Sequence, residues 1–130
     1  MSRDEAVQAA LDAAWKDSVR LDPARQAEYV YQVLGGRLAA AALGLKDTRT
    51  LQNWGRGGVI KNSAHGHRLQ LLYRVTAAIE RVYTPAVAAA FLRGSNPNLN
   101  QRAPMLLIAG GPTAETEAQV LAAAEALLEA

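Results

Sequence analysis

The chain has 130 residues, half of them hydrophobic and none of them cysteine, which suffices for one packed domain and excludes disulfides, thiolate metal sites and cysteine catalysis. No apolar run approaches the ~18 residues that span a membrane, and the charged N-terminal stretch lacks a signal-peptide core, so we expect a cytoplasmic protein. The net charge of +2 is uneven, because residues 35–81 carry eight basic and two acidic side chains, whereas the segments on either side are each acidic by two charges. A basic middle of this kind is typical of polyanion binding, although solvated helix faces would give the same pattern.

Helix signals follow one another along the whole chain, and no segment has the pattern of a strand. Asp22-Pro23 and Thr84-Pro85 each pair a capping side chain with a proline at the first helical position, and glycines mark most of the helix ends. The low aromatic content of 5% and the abundance of alanine also favour closely packed helices, so the predicted fold class is all-α. Predicted helices cover residues 4–17, 23–34, about 37–43, about 48–54, 65–83, 85–93, 103–109 and from 114 onward.

Apolar residues recur at helical spacing in these segments, which identifies the side that each helix buries. In the first helix the apolar stripe ends at Trp15, which we expect to pack in the core, with a dimer contact as the alternative. In the longest helix, 65–83, the stripe includes Leu69, Leu72 and Ile79. Phe91 and Leu92 are also expected in the core.

Two short helices joined by a glycine-containing turn, over residues 36–58, have the shape of a helix-turn-helix. Gly44 permits a left-handed turn conformation, and the small Ala40 leaves room for the second helix to cross the first. Leu51 and Trp54 are expected to face the domain. An ordinary helical hairpin with a polar outer side is the alternative, but the coincidence with the basic segment favours DNA binding.

The side chains on the outer side of the second helix suit a DNA groove. Arginine can pair with guanine edges, and glutamine or asparagine with adenine edges. Lysine and threonine can hold phosphates, and a helix N-terminus adds partial positive charge. The predicted DNA-binding residues are Lys46, Thr48, Arg49, Gln52, Asn53, Arg56 and Lys61.

Residues 82–111 have no place in a minimal helix-turn-helix and carry a second pattern. A helix ends in the sequence FLRG, an Asn96-Pro97 turn follows, and a short apolar helix begins at Pro104. This pattern resembles the toxin-binding domain of the Xre/MbcA/ParS family of bacterial antitoxins. The upstream segment RLAAAALGLKDTRTLQNWGRG and the long helix with HRLQLLYRV resemble the Xre-like half of that family, so the resemblance covers about residues 30–128.

The resemblance implies an all-α antitoxin that binds and silences a RES-domain toxin, which consumes NAD or ADP-ribosylates a target, and that represses its own operon. Combined with the helix pattern, it predicts an N-terminal helix over residues 1–22, an Xre-like helix-turn-helix domain over 23–83 and a C-terminal toxin-binding domain over 84–130. The implied partners are the toxin and operator DNA, with the antitoxin as a homodimer or in a larger assembly. The toxin-binding residues carried over from the motif are Arg93, Gly94, Asn96, Pro97, Asn98, Leu99, Arg102 and Pro104.

Enzymatic and metal-binding functions have little support in the residues. His65 and His67 diverge by ~200° on a helix and cannot share one metal there, and no carboxylate pair lies in an apolar setting for acid–base catalysis. We therefore predict no catalytic residue, no metal and no cofactor. Two alternatives stay open: a plain helix-turn-helix regulator that dimerises through its C-terminal half, and a partner-binding protein whose helix-turn-helix no longer contacts DNA.

Overall fold

The structure is a computed structural model and describes residues 2–130. Within these residues there is no strand, only an isolated bridge between Asn96 and Arg102. The predicted all-α fold class is therefore confirmed. The helices are α1 (Arg3–Arg20), α2 (Pro23–Leu34), α3 (Gly36–Ala42), α4 (Thr48–Gly55), α5 (Ser63–Val82), α6 (Pro85–Arg93), α7 (Pro104–Ala109) and α8 (Ala114–Glu129), with a short 3₁₀ helix (Pro97–Leu99) between α6 and α7.

Local capping chemistry explains where most helices begin. The side chains of Asp22, Thr84 and Thr113 each accept a hydrogen bond from the backbone amide three residues on, at 3.0, 3.3 and 3.1 Å. Proline occupies the first helical position of α2, α6 and α7, where its missing N–H costs no hydrogen bond. These starts agree with the sequence-based boundaries.

Several boundaries differ from the prediction by one to three residues, and the largest difference is the end of α1, at Arg20 rather than residue 17. Two of the differences have a clear local cause. Gly36 already belongs to α3, because the single residue Gly35, with a φ of 83°, is enough to break the chain after α2. α5 begins at Ser63 rather than near residue 65, because the Asn62 side chain caps the helix by accepting a hydrogen bond from the amide of Ala64 at 2.8 Å.

The centre of the fold is α5, which packs against α1, α2, α6, α7 and α8. Because helices pack on several sides of α5, the buried part of its circumference is wider than the single apolar stripe that the sequence predicted. Ile108 of α7 and Val120 and Leu128 of α8 are fully buried in the same core. The buried residues of α5 are Leu69, Leu71, Leu72, Tyr73, Val75, Thr76, Ala77, Ala78 and Ile79.

The expectation that Trp15 packs in the core is wrong, since 51% of this residue is exposed. α1 buries Val7 and Ala14 instead. One residue advances a helix by about 100°, so the ring of Trp15 emerges at the edge of the α1–α5 contact. Phe91 and Leu92 were also predicted to lie in the core, and this is confirmed: Leu92 is fully buried, and Phe91 is partly buried against the core.

Candidate functional site

The short helices α3 and α4 lie in contact and are joined by residues 43–47. Gly44 has a φ of 72°, and the amides of Gly44 and Leu45 donate to the carbonyls of Ala41 and Ala40 at 3.1 and 2.9 Å. This pair of bonds is a Schellman motif, which closes α3 and turns the chain towards α4. A Cβ on Gly44 would lie 3.2 Å from the carbonyl oxygen of Ala109, so the end of α7 lies against the turn.

The two sides of α4 differ sharply in burial. Leu51 and Trp54 are 1% and 5% exposed and face the core, as the sequence predicted. Each residue advances a helix by about 100°. The predicted DNA-contacting residues of α4 and its C-cap therefore lie within a continuous arc of about 140° on the other side of the helix. Four members of this arc are exposed and Thr48 is half-buried. We call this set the α4 arc: Thr48, Arg49, Gln52, Asn53 and Arg56.

The N-terminus of α4 is not open to an anion in the way the sequence suggested. Asp47 Oδ1 accepts hydrogen bonds from the amides of Arg49 and Thr50, at 3.1 and 3.3 Å. These two donors are therefore satisfied within the chain, and the carboxylate offsets the positive end of the helix dipole.

Seven of the eight basic side chains in residues 35–81 fall into two groups, and the eighth, Arg68, lies against His65. Arg74 pairs with Glu117 at 3.1 Å, and Arg81 pairs with Asp17 at 2.5 Å. Burial lowers the pKa of Arg74, and Glu117 opposes that shift. The cations around α3 and α4 have no carboxylate within 4.0 Å among the described residues. This second group includes two members of the α4 arc and consists of Arg37, Lys46, Arg49, Arg56 and Lys61.

Tyr31 is a residue of this surface that the sequence analysis missed. Gln52 Nε2 donates a hydrogen bond to the Tyr31 hydroxyl at 3.1 Å. The tyrosine ring lies over Gly36, where a Cβ would approach within 2.8 Å of ring atom Cε2 and 3.1 Å of the Thr48 methyl. Tyr31 therefore occupies the space left by a glycine and places a hydroxyl at the edge of the α4 arc.

A chain of contacts connects α4 to the loop after α7. The rings of Trp54 and His65 lie 5.6 Å apart between centroids, and Arg68 Nη1 lies 3.1 Å from His65 Nδ1. Because arginine can only donate, Nδ1 is the acceptor and the ring hydrogen belongs on Nε2. Arg68 Nη2 would lie 3.2 Å from a Cβ on Gly111. His65 thus has a packing role beneath α4, whereas His67 is exposed.

The second predicted site is the loop between α6 and α7. Asn96 holds it together: its Oδ1 accepts from the amide of Asn98, and its carbonyl accepts from the amides of Leu99 and Gln101, each at 2.9 Å. Asn100 and Gln101 both have positive φ, 56° and 65°, a conformation that costs free energy in residues other than glycine and persists only where the surroundings enforce it. The loop is therefore a fixed shape.

The structure separates the predicted toxin-binding residues into a surface group and an interior group. Leu99 is 2% exposed and Pro104 is also buried, because the loop folds these two apolar side chains into the core beside α8 and α7. Asn96 is half-buried as the organiser of the loop. The exposed members, which we call the loop surface, are Arg93, Gly94, Pro97, Asn98 and Arg102.

The described residues contain no group of three or more His, Cys, Asp or Glu side chains placed to hold a metal ion. None of the helices in residues 2–130 is both long and apolar enough to cross a bilayer. Comparisons of the chain with protein-family models, with curated proteins and with solved structures found no match.

Proposed function

We propose that this chain is a helix-turn-helix DNA-binding protein in which α4 enters the major groove. The supporting observation is the α4 arc, a continuous strip of groove-reading side chains on a helix whose other side is anchored by Leu51 and Trp54. Arg49 and Arg56 of the arc, together with Arg37, Lys46 and Lys61, have no carboxylate partner among the described residues. Such cations gain from contact with phosphates by releasing counterions from DNA.

Binding to DNA from upstream of the protein's own coding sequence tests this proposal. Fluorescence anisotropy at low salt should detect a complex, and scrambled DNA of the same length should bind more weakly. Replacing Arg49 and Gln52 together with Ala should remove the preference for the upstream sequence, at a cost of about 1–3 kcal/mol for each base that is no longer recognised. A folded protein that binds neither DNA would refute the proposal.

We further propose that the protein is an antitoxin that neutralises a RES-domain toxin through the loop surface. The resemblance of residues 82–111 to the antitoxin family is the first support. The second is physical: a loop fixed by its own hydrogen bonds loses little conformational freedom on binding, and it presents Arg93 and Arg102 as exposed cations. A plain DNA-binding regulator is the alternative.

Co-expression with the protein encoded by the neighbouring gene distinguishes these two functions. The triple variant Arg93→Ala, Asn98→Ala and Arg102→Ala should lose co-purification and neutralisation while keeping DNA affinity. The matched variant, Arg49→Ala with Gln52→Ala, should lose its DNA sequence preference while keeping co-purification and neutralisation. If the triple variant still binds the partner fully and the α4 variant does not, the partner docks on the α4 arc and the assignment of the loop surface is wrong.

A further inference from the structure

The outer flank of α1 is an apolar surface that neither the α4 arc nor the loop surface uses. Leu11, Trp15 and Val19 follow one another at four-residue spacing and so lie along one flank of the helix. Trp15 is 51% exposed and Val19 is 53% exposed, whereas Leu11 is partly buried. Large apolar side chains grouped in this way mark an interaction surface.

A groove beside Trp15 extends this surface. It has a volume of about 300 Å³ and lies between α1 and α8, with Val75 and Ala78 of α5 as its floor and Leu121 of α8 in its wall. Trp15 stands at its edge. Gln8, Asp12, Arg74 and Glu125 also line the groove, so it offers both apolar and polar atoms to a docked side chain.

The charges on α1 indicate what docks there. Asp4 and Glu5 lie in its first turn and Arg20 in its last. Arg3 and Asp17 are also on this helix, but Arg3 bonds to Tyr83 and Leu128, and Asp17 pairs with Arg81. The remaining charges of the helix are therefore acidic towards its N-terminus and basic towards its C-terminus. Asp12 and Lys16 are both exposed, and within residues 2–130 neither forms an ion pair. A surface that carries both charges in this order is complementary to a second copy of itself running in the opposite direction.

We infer that a second copy of this chain docks on the outer flank of α1, with the two α1 helices antiparallel about a two-fold axis near Trp15. In this arrangement each Asp12 faces Lys16 of the other copy, and each Trp15 covers the groove of the other copy. The interface is isologous, the commonest form of homodimer contact. α1 packs on α5 and α8, whereas α4 packs on α2 and α3, so dimerisation leaves the α4 arc uncovered.

The inference deepens the proposed function, because helix-turn-helix proteins read two-fold DNA sites as dimers. The experiment that tests dimerisation uses no DNA, so a failure of the dimer proposal can be distinguished from a failure of the DNA-binding proposal. Sedimentation velocity of the full chain over a micromolar-to-millimolar series should show a monomer–dimer equilibrium. Trp15→Ala should weaken dimerisation by about 30-fold or more, as removal of a central aromatic anchor does, while circular dichroism shows the same helix content as the wild type.

Charge reversal provides the matched controls. Asp12→Lys and Lys16→Asp should each weaken self-association several-fold, because like charges then face each other. The double variant should regain wild-type affinity, and a mixture of the two single variants should form heterodimers. A wild type that stays monomeric at the highest concentration overturns the inference. So do single reversals that dimerise as well as the wild type, or a double variant that fails to recover.

Tryptophan fluorescence gives a second measurement. The chain has two tryptophans, and Trp54 is 5% exposed, so its emission reports the core. Emission from Trp15 should shift to shorter wavelength as concentration rises, because dimerisation removes the ring from water. In Trp15→Phe the shift should be absent although the protein still associates. A wild-type spectrum independent of concentration across the association range contradicts docking at Trp15.

Discussion

The side-chain amide of Gln52 is held by Tyr31, whose hydroxyl accepts a hydrogen bond from Gln52 Nε2 across 3.1 Å. The bond joins α2 to α4 and leaves Gln52 Oε1 and the second amide hydrogen free. These are the groups that would pair with an adenine edge. Gly36 makes the arrangement possible, since any Cβ there would collide with the tyrosine ring. Tyr31 is therefore a positioning residue for groove recognition in the proposed DNA complex.

We expect Tyr31→Phe to reduce sequence discrimination by roughly 2–10-fold, the worth of one neutral hydrogen bond, while affinity for scrambled DNA stays unchanged. Anisotropy titrations with the two DNAs measure this ratio. In a Gln52→Ala background the same substitution should have no further effect. An equal decrease on both DNAs, or an undiminished effect without Gln52, would mean that Tyr31 contacts the DNA backbone itself.

DNA affinity should fall steeply with salt. Each neutralised phosphate adds about −0.9 to the slope of log affinity against log salt, so a dimer with about six phosphate contacts should show a slope near −5. Lys61→Ala should weaken all sequences alike and make the slope shallower, because Lys61 is an exposed cation in the segment between α4 and α5. Arg93→Ala, an exposed cation of the loop surface, serves as the control and should leave the slope unchanged. A slope near zero would contradict binding through phosphates.

Two glycine-to-alanine substitutions should have opposite effects on stability. Gly44→Ala should lower the free energy of unfolding by about 1–2 kcal/mol or more, because the residue has a φ of 72° and its Cβ would press on the carbonyl oxygen of Ala109 at 3.2 Å. Gly66→Ala should raise it by roughly 0.5–1 kcal/mol, because Gly66 lies inside α5 with open space around its Cβ position. Urea denaturation measures both, and destabilisation by Gly66→Ala would show a steric conflict that the structure lacks.

Stability should decrease at alkaline pH because of Tyr29 and Tyr73. Burial raises the pKa of both hydroxyls above their usual value near 10, with Glu80 adding to the shift of Tyr29 and Asp17 to that of Tyr73. A tyrosine whose pKa is higher in the folded state stabilises the fold fully below pH ~10, and this stabilisation is lost as the pH rises towards the folded-state pKa.

The unfolding free energy should therefore fall with increasing pH above about 10, by at most ~1.4 kcal/mol per pH unit for each group. Tyr29→Phe should make this decrease shallower, and the pair Tyr29→Phe with Tyr73→Phe shallower still. Denaturant titrations at a series of alkaline pH values give the free energies, and tyrosinate absorbance gives the ionisation. A slope that is the same in wild type and double variant would contradict the assignment.

Fold class and most helix boundaries follow directly from the amino-acid sequence. Asp22 and Thr84 cap the helices that follow them, and Gly44 closes α3, because capping and turn geometry depend on residues a few positions apart. The periodic positions of Leu51 and Trp54 likewise predicted which side of α4 is buried. Capping, turn formation and helical periodicity depend on residues close together in sequence, so a short segment is enough to predict them.

Which apolar and polar residues reach the surface depends instead on how the helices pack together. Trp15 has the spacing of a core residue and is half exposed, whereas Leu99 follows a loop motif and is buried. The bond between Tyr31 and Gln52 spans 21 positions and depends on how α2 crosses α4. Burial and such contacts arise between segments distant in sequence, and a helical period does not state which neighbours will cover which side. For that reason the sequence left Trp15 between the core and a dimer contact, and the packing of α1 on α5 and α8 decided that it lies on an exposed flank.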